Sequence, residues 1–128
     1  MDPREVIELV GLTEKADALG RTLSGGQRRR LDVALGIIGN PELIFLDEPT
    51  TGLDASVASG VLDLIRNLLE ELQVAAVVVS HDFGVIEMLT ERCLVMQHGR
   101  VVENALTDQL LEDPHHPYSQ KLVAAART

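Results

Sequence analysis

Apolar positions in the first ten residues recur at helical spacing. Val6, Leu9 and Val10 fall on one face, Pro3 stands in the first turn and Gly11 stops the run, so a short helix is predicted. "TEKADAL" predicts a second helical piece, with Thr13 as its N-cap and an end before Gly20. After "LSGGQRRR" the pattern predicts a third helix. Leu31, Ala34, Leu35 and Ile38 form its apolar face, and Gly39-Asn40-Pro41 closes it.

The period then changes. In "ELIFLDEP" the unbroken run Leu43 to Leu46 leads into two acids and a proline, the habit of a parallel strand buried on both faces. From Ala55 to Leu72 the 3.6-residue period returns. Val57, Val61, Leu64, Ile65, Leu68 and Leu72 form the stripe, with Asp63, Arg66, Glu70 and Glu71 toward water. "VAAVVVS" predicts another buried strand. A helix over Phe83 to Leu89 follows, then a hairpin in "RCLVMQHGRVV" turning at His98-Gly99, then two closing helices. Strand, helix, strand in this order predicts a right-handed crossover and a parallel sheet, hence an α/β class. A helical lobe is expected over 1–40, an α/β lobe over 41–104 and a helical extension over 105–128.

Composition narrows the picture. The chain has 128 residues, long enough for one domain, and is 45% hydrophobic and 24% charged, ordinary for a globular protein. Phe45, Phe83 and Tyr118 are its three aromatics, so the core is expected to be aliphatic. A formal charge of −9 argues against a nucleic-acid partner and against a broad surface for binding anionic membrane, since phosphate binding draws on Lys and Arg. Cys93 is the only cysteine, which excludes an internal disulfide and fits a reducing, cytoplasmic setting. The start carries no pattern of a signal peptide, and the longest apolar run, "VAAVVV", is too short to span a bilayer.

Candidate chemistry gathers at three places. Asp47 and Glu48 stand where a parallel strand ends, the edge at which open α/β sheets bind ligands. A carboxylate there can hold Mg²⁺, and its neighbour can orient a water. Standing alone, two acids at a strand-to-turn junction are ordinarily just solvated. His81 follows the next strand and is expected on the same edge, where an imidazole can bond a phosphate or a water; an isolated histidine there more often caps a helix. Ser24, Gly25 and Gly26 precede a helix whose first amides lack intrahelical partners, and glycine lets an anion approach them closely. The plain alternative is a glycine turn capped by serine, with Arg28, Arg29 and Arg30 as a solvated basic turn. Asp54 before "ASV" is a good N-cap, and capping alone accounts for it. His115 and His116, adjacent and before a proline, read as a helix entry rather than a metal site.

Together, "LSGGQRRR", "LIFLDEPTTGLD" and "VVVSHD", in this order and spacing, resemble the ATP-binding cassette (ABC) ATPases, over nearly the whole chain. The tail "LTDQLLEDPHHPYSQKLVAAA" is similar to that of oligopeptide and dipeptide importer ATPases, and closer still to the phosphonate carbon–phosphorus lyase accessory ATPase. The front half reads like drug-exporter ATPases. The resemblance implies a partial P-loop NTPase core with a parallel sheet, preceded by a helical signature subdomain. Leu23, Ser24, Gly25, Gly26 and Gln27 would be the signature motif, which in the family contacts the γ-phosphate of ATP held by the opposite subunit. Asp47 would hold Mg²⁺ and Glu48 would be the catalytic base. Gly52, Leu53 and Asp54 would be the loop crossing the dimer interface, and His81 the switch histidine. ATP and Mg²⁺ are the implied cofactors. The implied partners are a second ABC ATPase subunit and a membrane permease, which would hold the chain at the inner membrane.

The phosphate-cradling G-x-x-x-x-G-K-[ST] is missing from these residues. Lys15 and Lys121 are the only lysines, and neither lies in such a loop. The expectation is therefore no ATPase activity by the chain alone and, at most, completion of a partner's site. A non-enzymatic interaction protein, competing with intact cassettes, is the alternative. The family would also place the phosphate-loop strand between the strands ending at Asp47 and Ser80. Without it, those two strands either pair directly or leave unpaired backbone for a second chain.

Overall fold

The computed structural model describes residues 1–15 and 23–127, and it divides into two compact units, Met1–Val79 and Ser80–Thr128.

The first unit opens with α1 (Pro3–Leu9), capped by the Asp2 carboxylate on the Arg4 amide. A 3₁₀ turn follows over Thr13–Lys15; the rest of the helix expected in "TEKADAL" lies outside the described residues. Helix α2 spans Gly25–Ile37, strand β1 Leu43–Asp47, helix α3 Ala55–Leu72 and strand β2 Ala75–Val79. The boundaries of α3 match those expected from its stripe. Asp54 caps its start, accepting from the Val57 amide at 2.9 Å, and Gln73 ends it in the left-handed region at φ 52°.

β1 and β2 pair in parallel, Leu43 beside Ala75 through Asp47 beside Val79. The two strands are direct neighbours, so no gap for a phosphate-loop strand separates them. Burial on both faces does not hold. Ile44 is buried and Leu46 half-buried, whereas Leu43, Phe45, Val77 and Val79 on the opposite face are exposed. A run of consecutive apolar residues records that two faces can be covered; in this chain only one is.

The expected face of α2 also needs correction. Its buried positions are Gly26, Val33, Ala34 and Ile37, while Leu35 is 63% exposed and Leu31 and Ile38 are half-buried. Close approach to α3 sets this rotation, because a Cβ on Gly26 would stand 2.5 Å from Val57 Cγ1. Glycine marks the contacting face, a position that a search for large apolar residues skips. Along α3 the buried set is Val61, Leu62, Ile65 and Leu68, with Leu62 added to the expected stripe and Val57 only partly covered, at 37% exposed.

The second unit contains α4 (Phe83–Leu89), the antiparallel pair β3 (Arg92–Gln97) and β4 (Arg100–Leu106), α5 (Thr107–Glu112) and α6 (Pro117–Ala126). The hairpin turns where expected: His98 and Gly99 have φ of 53° and 75°, the two positive values a tight primed turn requires. Val85, Ile86, Val95, Leu110 and Val123 are its buried core. Inside it, the Thr90 hydroxyl donates to the Ile86 carbonyl at 2.6 Å and the Thr107 amide to the Glu91 carbonyl at 2.9 Å. His116 is the N-cap of α6, its Nδ1 accepting from the Tyr118 amide, so the histidine pair is a helix entry. Among the described residues no three His, Cys, Asp or Glu side chains gather as a metal site, and no helix is long and apolar enough to cross a membrane.

Candidate functional site

The start of α2 is held by a reciprocal capping box. Ser24 Oγ accepts from the Gln27 amide at 3.1 Å, and Gln27 Oε1 accepts from the Ser24 amide at 3.0 Å. The first intrahelical donor is Arg28, bonded to the Ser24 carbonyl at 2.9 Å. The Gly25 and Gly26 amides therefore precede the ladder and point out of the helix end, where an anion would be favoured. Leu23 is half-buried and Ser24 and Gly25 are exposed.

Both glycines are also packing sites. A Cβ at Gly25 would stand 3.2 Å from Leu53 Cδ2, and one at Gly26 would collide with Val57. The structure thus sets the helix start against the loop 52–54 and the first turn of α3. Asp54 itself is the cap of α3, and glycine at 26 is required by this packing whether or not a phosphate binds.

The loop after β1 is built on a second set of contacts. The Glu48 amide donates to the Val79 carbonyl at 2.7 Å, extending the β1–β2 ladder by one bond. Glu48 itself sits at φ 48°, in the left-handed region that disfavours side chains. The turn closes from the Thr51 amide to the Glu48 carbonyl at 3.3 Å, and Thr51 Oγ1 donates to Glu48 Oε2 at 3.3 Å. Asp47 is exposed at the strand end, on the same face as Phe45. Asp47 and Glu48 share a cleft of about 370 Å³ with Arg29, Asp32, Val33 and Gly36 of α2. His81 is exposed two residues beyond β2 and belongs to the second unit.

Sequence reasoning missed two arginines. Arg29 donates to the Glu48 carbonyl at 3.1 Å and the Thr51 carbonyl at 2.8 Å, so it fixes the loop that carries the paired acids. Arg30 donates to the Val10 carbonyl at 3.2 Å, at the end of α1, and its guanidinium lies close to Gly60 of α3. Only Arg28 fits the solvated basic turn. The signal lay in the period: 26, 30, 33, 34 and 37 form one helical face, and Arg30 falls on it.

Residues 2–51 match the family described as ABC transporter. A phosphonates utilization ATP-binding protein of Escherichia coli (strain K12) is 51% identical over 87% of this chain and 44% of its own length. A peptide import ATP-binding protein of Brucella abortus (strain 2308) is 37% identical over 95% of this chain and 39% of its own. The fold matches a solved ATP-binding cassette of an ABC transporter in its ADP conformation, with a TM-score of 0.81 at 19% identity. That match covers 95% of this chain and 48% of that one. The chain therefore spans less than half the length of each of these proteins.

Proposed function

Because the chain belongs to the ABC transporter ATP-binding family, we propose that it supplies one half of a composite ATP site. Leu23 to Gln27 would close over the γ-phosphate of ATP held by an intact cassette in a second subunit. The observation that carries this reading is the helix start itself. The Gly25 and Gly26 amides lie outside the intrahelical ladder, at a helix start closed by the capping box and packed against Leu53 and Val57.

The remaining residues fit the same chemistry. An exposed carboxylate at a strand end offers Mg²⁺ a hard oxygen ligand, and Asp47 is the residue that would hold it; phosphate and water oxygens would complete its shell. Bound Mg²⁺ would neutralise phosphate charge. Glu48, its carboxylate oriented by Thr51 and its backbone by Arg29, would accept a proton from an attacking water. His81 would hydrogen-bond the phosphate or that water. Neither lysine lies in a phosphate-cradling loop, so in this reading the lysine at the β- and γ-phosphates comes from the intact cassette. A cytoplasmic position at the inner membrane, through a permease, follows from the same reading.

Alone, the chain should release no phosphate from Mg-ATP. Titrated into the intact E. coli phosphonates relative, it should change that protein's rate of hydrolysis, and Ser24→Arg should remove the change. A rate indifferent to the chain contradicts the proposal.

The packing roles of Gly25 and Gly26 favour one second reading: an interaction protein that competes with intact cassettes without touching nucleotide. Its mark would be capture of cassette or permease subunits that is equally strong with and without ATP.

A further inference from the structure

One side chain, Arg29, ties the start of α2 to the turn that carries the paired acids. It stands one helical turn beyond Gly25, and its guanidinium donates to two carbonyls, Glu48 at 3.1 Å and Thr51 at 2.8 Å. The Thr51 amide closes back on the Glu48 carbonyl at 3.3 Å, so the guanidinium fork spans both ends of the turn it grips. Glu48 has φ 48°, a left-handed conformation that a side chain keeps only where its surroundings hold it. Its amide is tied to the Val79 carbonyl at 2.7 Å and its own carbonyl to Arg29. Its carboxylate is set by Thr51 Oγ1 at 3.3 Å, on the residue whose carbonyl Arg29 also holds.

Packing contacts between the same two segments run past the acids. Gly25 meets Leu53 and Gly26 meets Val57, both beyond the Glu48–Thr51 turn. They set how closely the segments approach, whereas the Arg29 bonds fix the turn itself. Fork geometry is essential to that hold: a lysine keeps the charge but offers no planar pair of donors for two carbonyls at once.

Resting on the composite-site reading above, we propose that Arg29 is the positioning residue that couples the phosphate-facing start of α2 to the Glu48 carboxylate. A phosphate of the partner's ATP drawn onto the Gly25 and Gly26 amides displaces the first turns of α2. Arg29 carries that displacement to the Glu48–Thr51 turn, and Thr51 Oγ1 passes it to the carboxylate. Occupancy of the neighbour's site is thereby felt at this chain's own acids.

The first test reads amide resonances of the chain alone. Ser24→Gly removes the hydroxyl half of the capping box and leaves a tolerated N-cap. It should move the Glu48 and Thr51 resonances, and Arg29→Lys should cut that movement at least about threefold. The Leu53 resonance, reached through Gly25, should move equally in both backgrounds, which reports an intact fold. Arg30→Lys, at the neighbouring arginine that holds the end of α1, should leave transmission to Glu48 unchanged. Equal movement at Glu48 and Thr51 with Arg29 or Lys, or equal loss with Arg30→Lys, would overturn the assignment. The second test adds the intact E. coli phosphonates relative and Mg-ATP. Exchange of the Thr51 amide should slow at least about tenfold in the complex, and Arg29→Lys should remove the slowing while the complex still forms. Slowing that persists in the variant would overturn the coupling. A missing complex contradicts the composite-site reading instead, and the resonances of the chain alone still decide the role of Arg29.

Discussion

Glycine at position 26 is a packing requirement before it is a phosphate contact. Its missing side chain lets α2 meet Val57 of α3, with 2.5 Å left for any added Cβ. Gly26→Ala should therefore cost about 1–3 kcal/mol in urea unfolding, the usual range for forced overpacking. Val57→Ala removes the colliding Cγ1, so the double variant should recover most of that loss. If the two costs simply add, the contact is not the cause. Gln73 offers the opposite case. It ends α3 at φ 52°, where a side chain is strained, and Gln73→Gly should stabilise the chain by roughly 0.5–1 kcal/mol. Cys93 is half-buried, and burial first, then the nearby Glu103 charge, pushes its thiol above the usual value. At neutral pH it should react with iodoacetamide more slowly than a free cysteine, and faster once the chain is unfolded.

Among the elements, the clearest pH-sensitive joint ties the hairpin to α6. The Glu103 carboxylate on β4 accepts from the His116 amide at 2.8 Å and from the His115 amide at 3.1 Å. These bonds, that of His116 foremost, hold its pKa below the usual 4.5. A depressed folded pKa stabilises the fold fully above the unfolded value. The contribution fades as pH falls from about 4.5 through the folded value. Glu103→Gln should cost about 1 kcal/mol or less at pH 7 and flatten the acid limb of the stability curve. An acid limb unchanged in the variant would mean the joint does not carry it. Elements such as α3, α4 and the His98-Gly99 turn were legible in the sequence because their signals are local: an apolar stripe, a cap and a pair of turn residues. The rotation of α2 was not, since a glycine and Arg30 set it through contacts with α3 and the end of α1. The half-covered sheet escaped for a similar reason. "LIFL" and "AVVV" record what the strands can bury, and what covers them is not written in those residues.

For the molecule as a whole, the candidate site was legible as far as its residues lay in short motifs. Ser24 and Asp54 cap α2 and α3, as helix-start residues of their type do, and Asp47 ends β1 with Glu48 next to it. Arg29, which grips the Glu48 and Thr51 carbonyls, was hidden in a basic run that reads as solvent-facing. The chain spans 44% of its E. coli relative, and the role proposed for Leu23 to Gln27 is completion of an ATP site held by a second subunit. The most direct measurement is sedimentation velocity of the chain mixed with that intact relative and Mg²⁺, with and without ATP. A heavier complex is expected that forms only with ATP and disappears with Ser24→Arg. A complex of equal abundance without ATP, or one indifferent to Ser24→Arg, would contradict it.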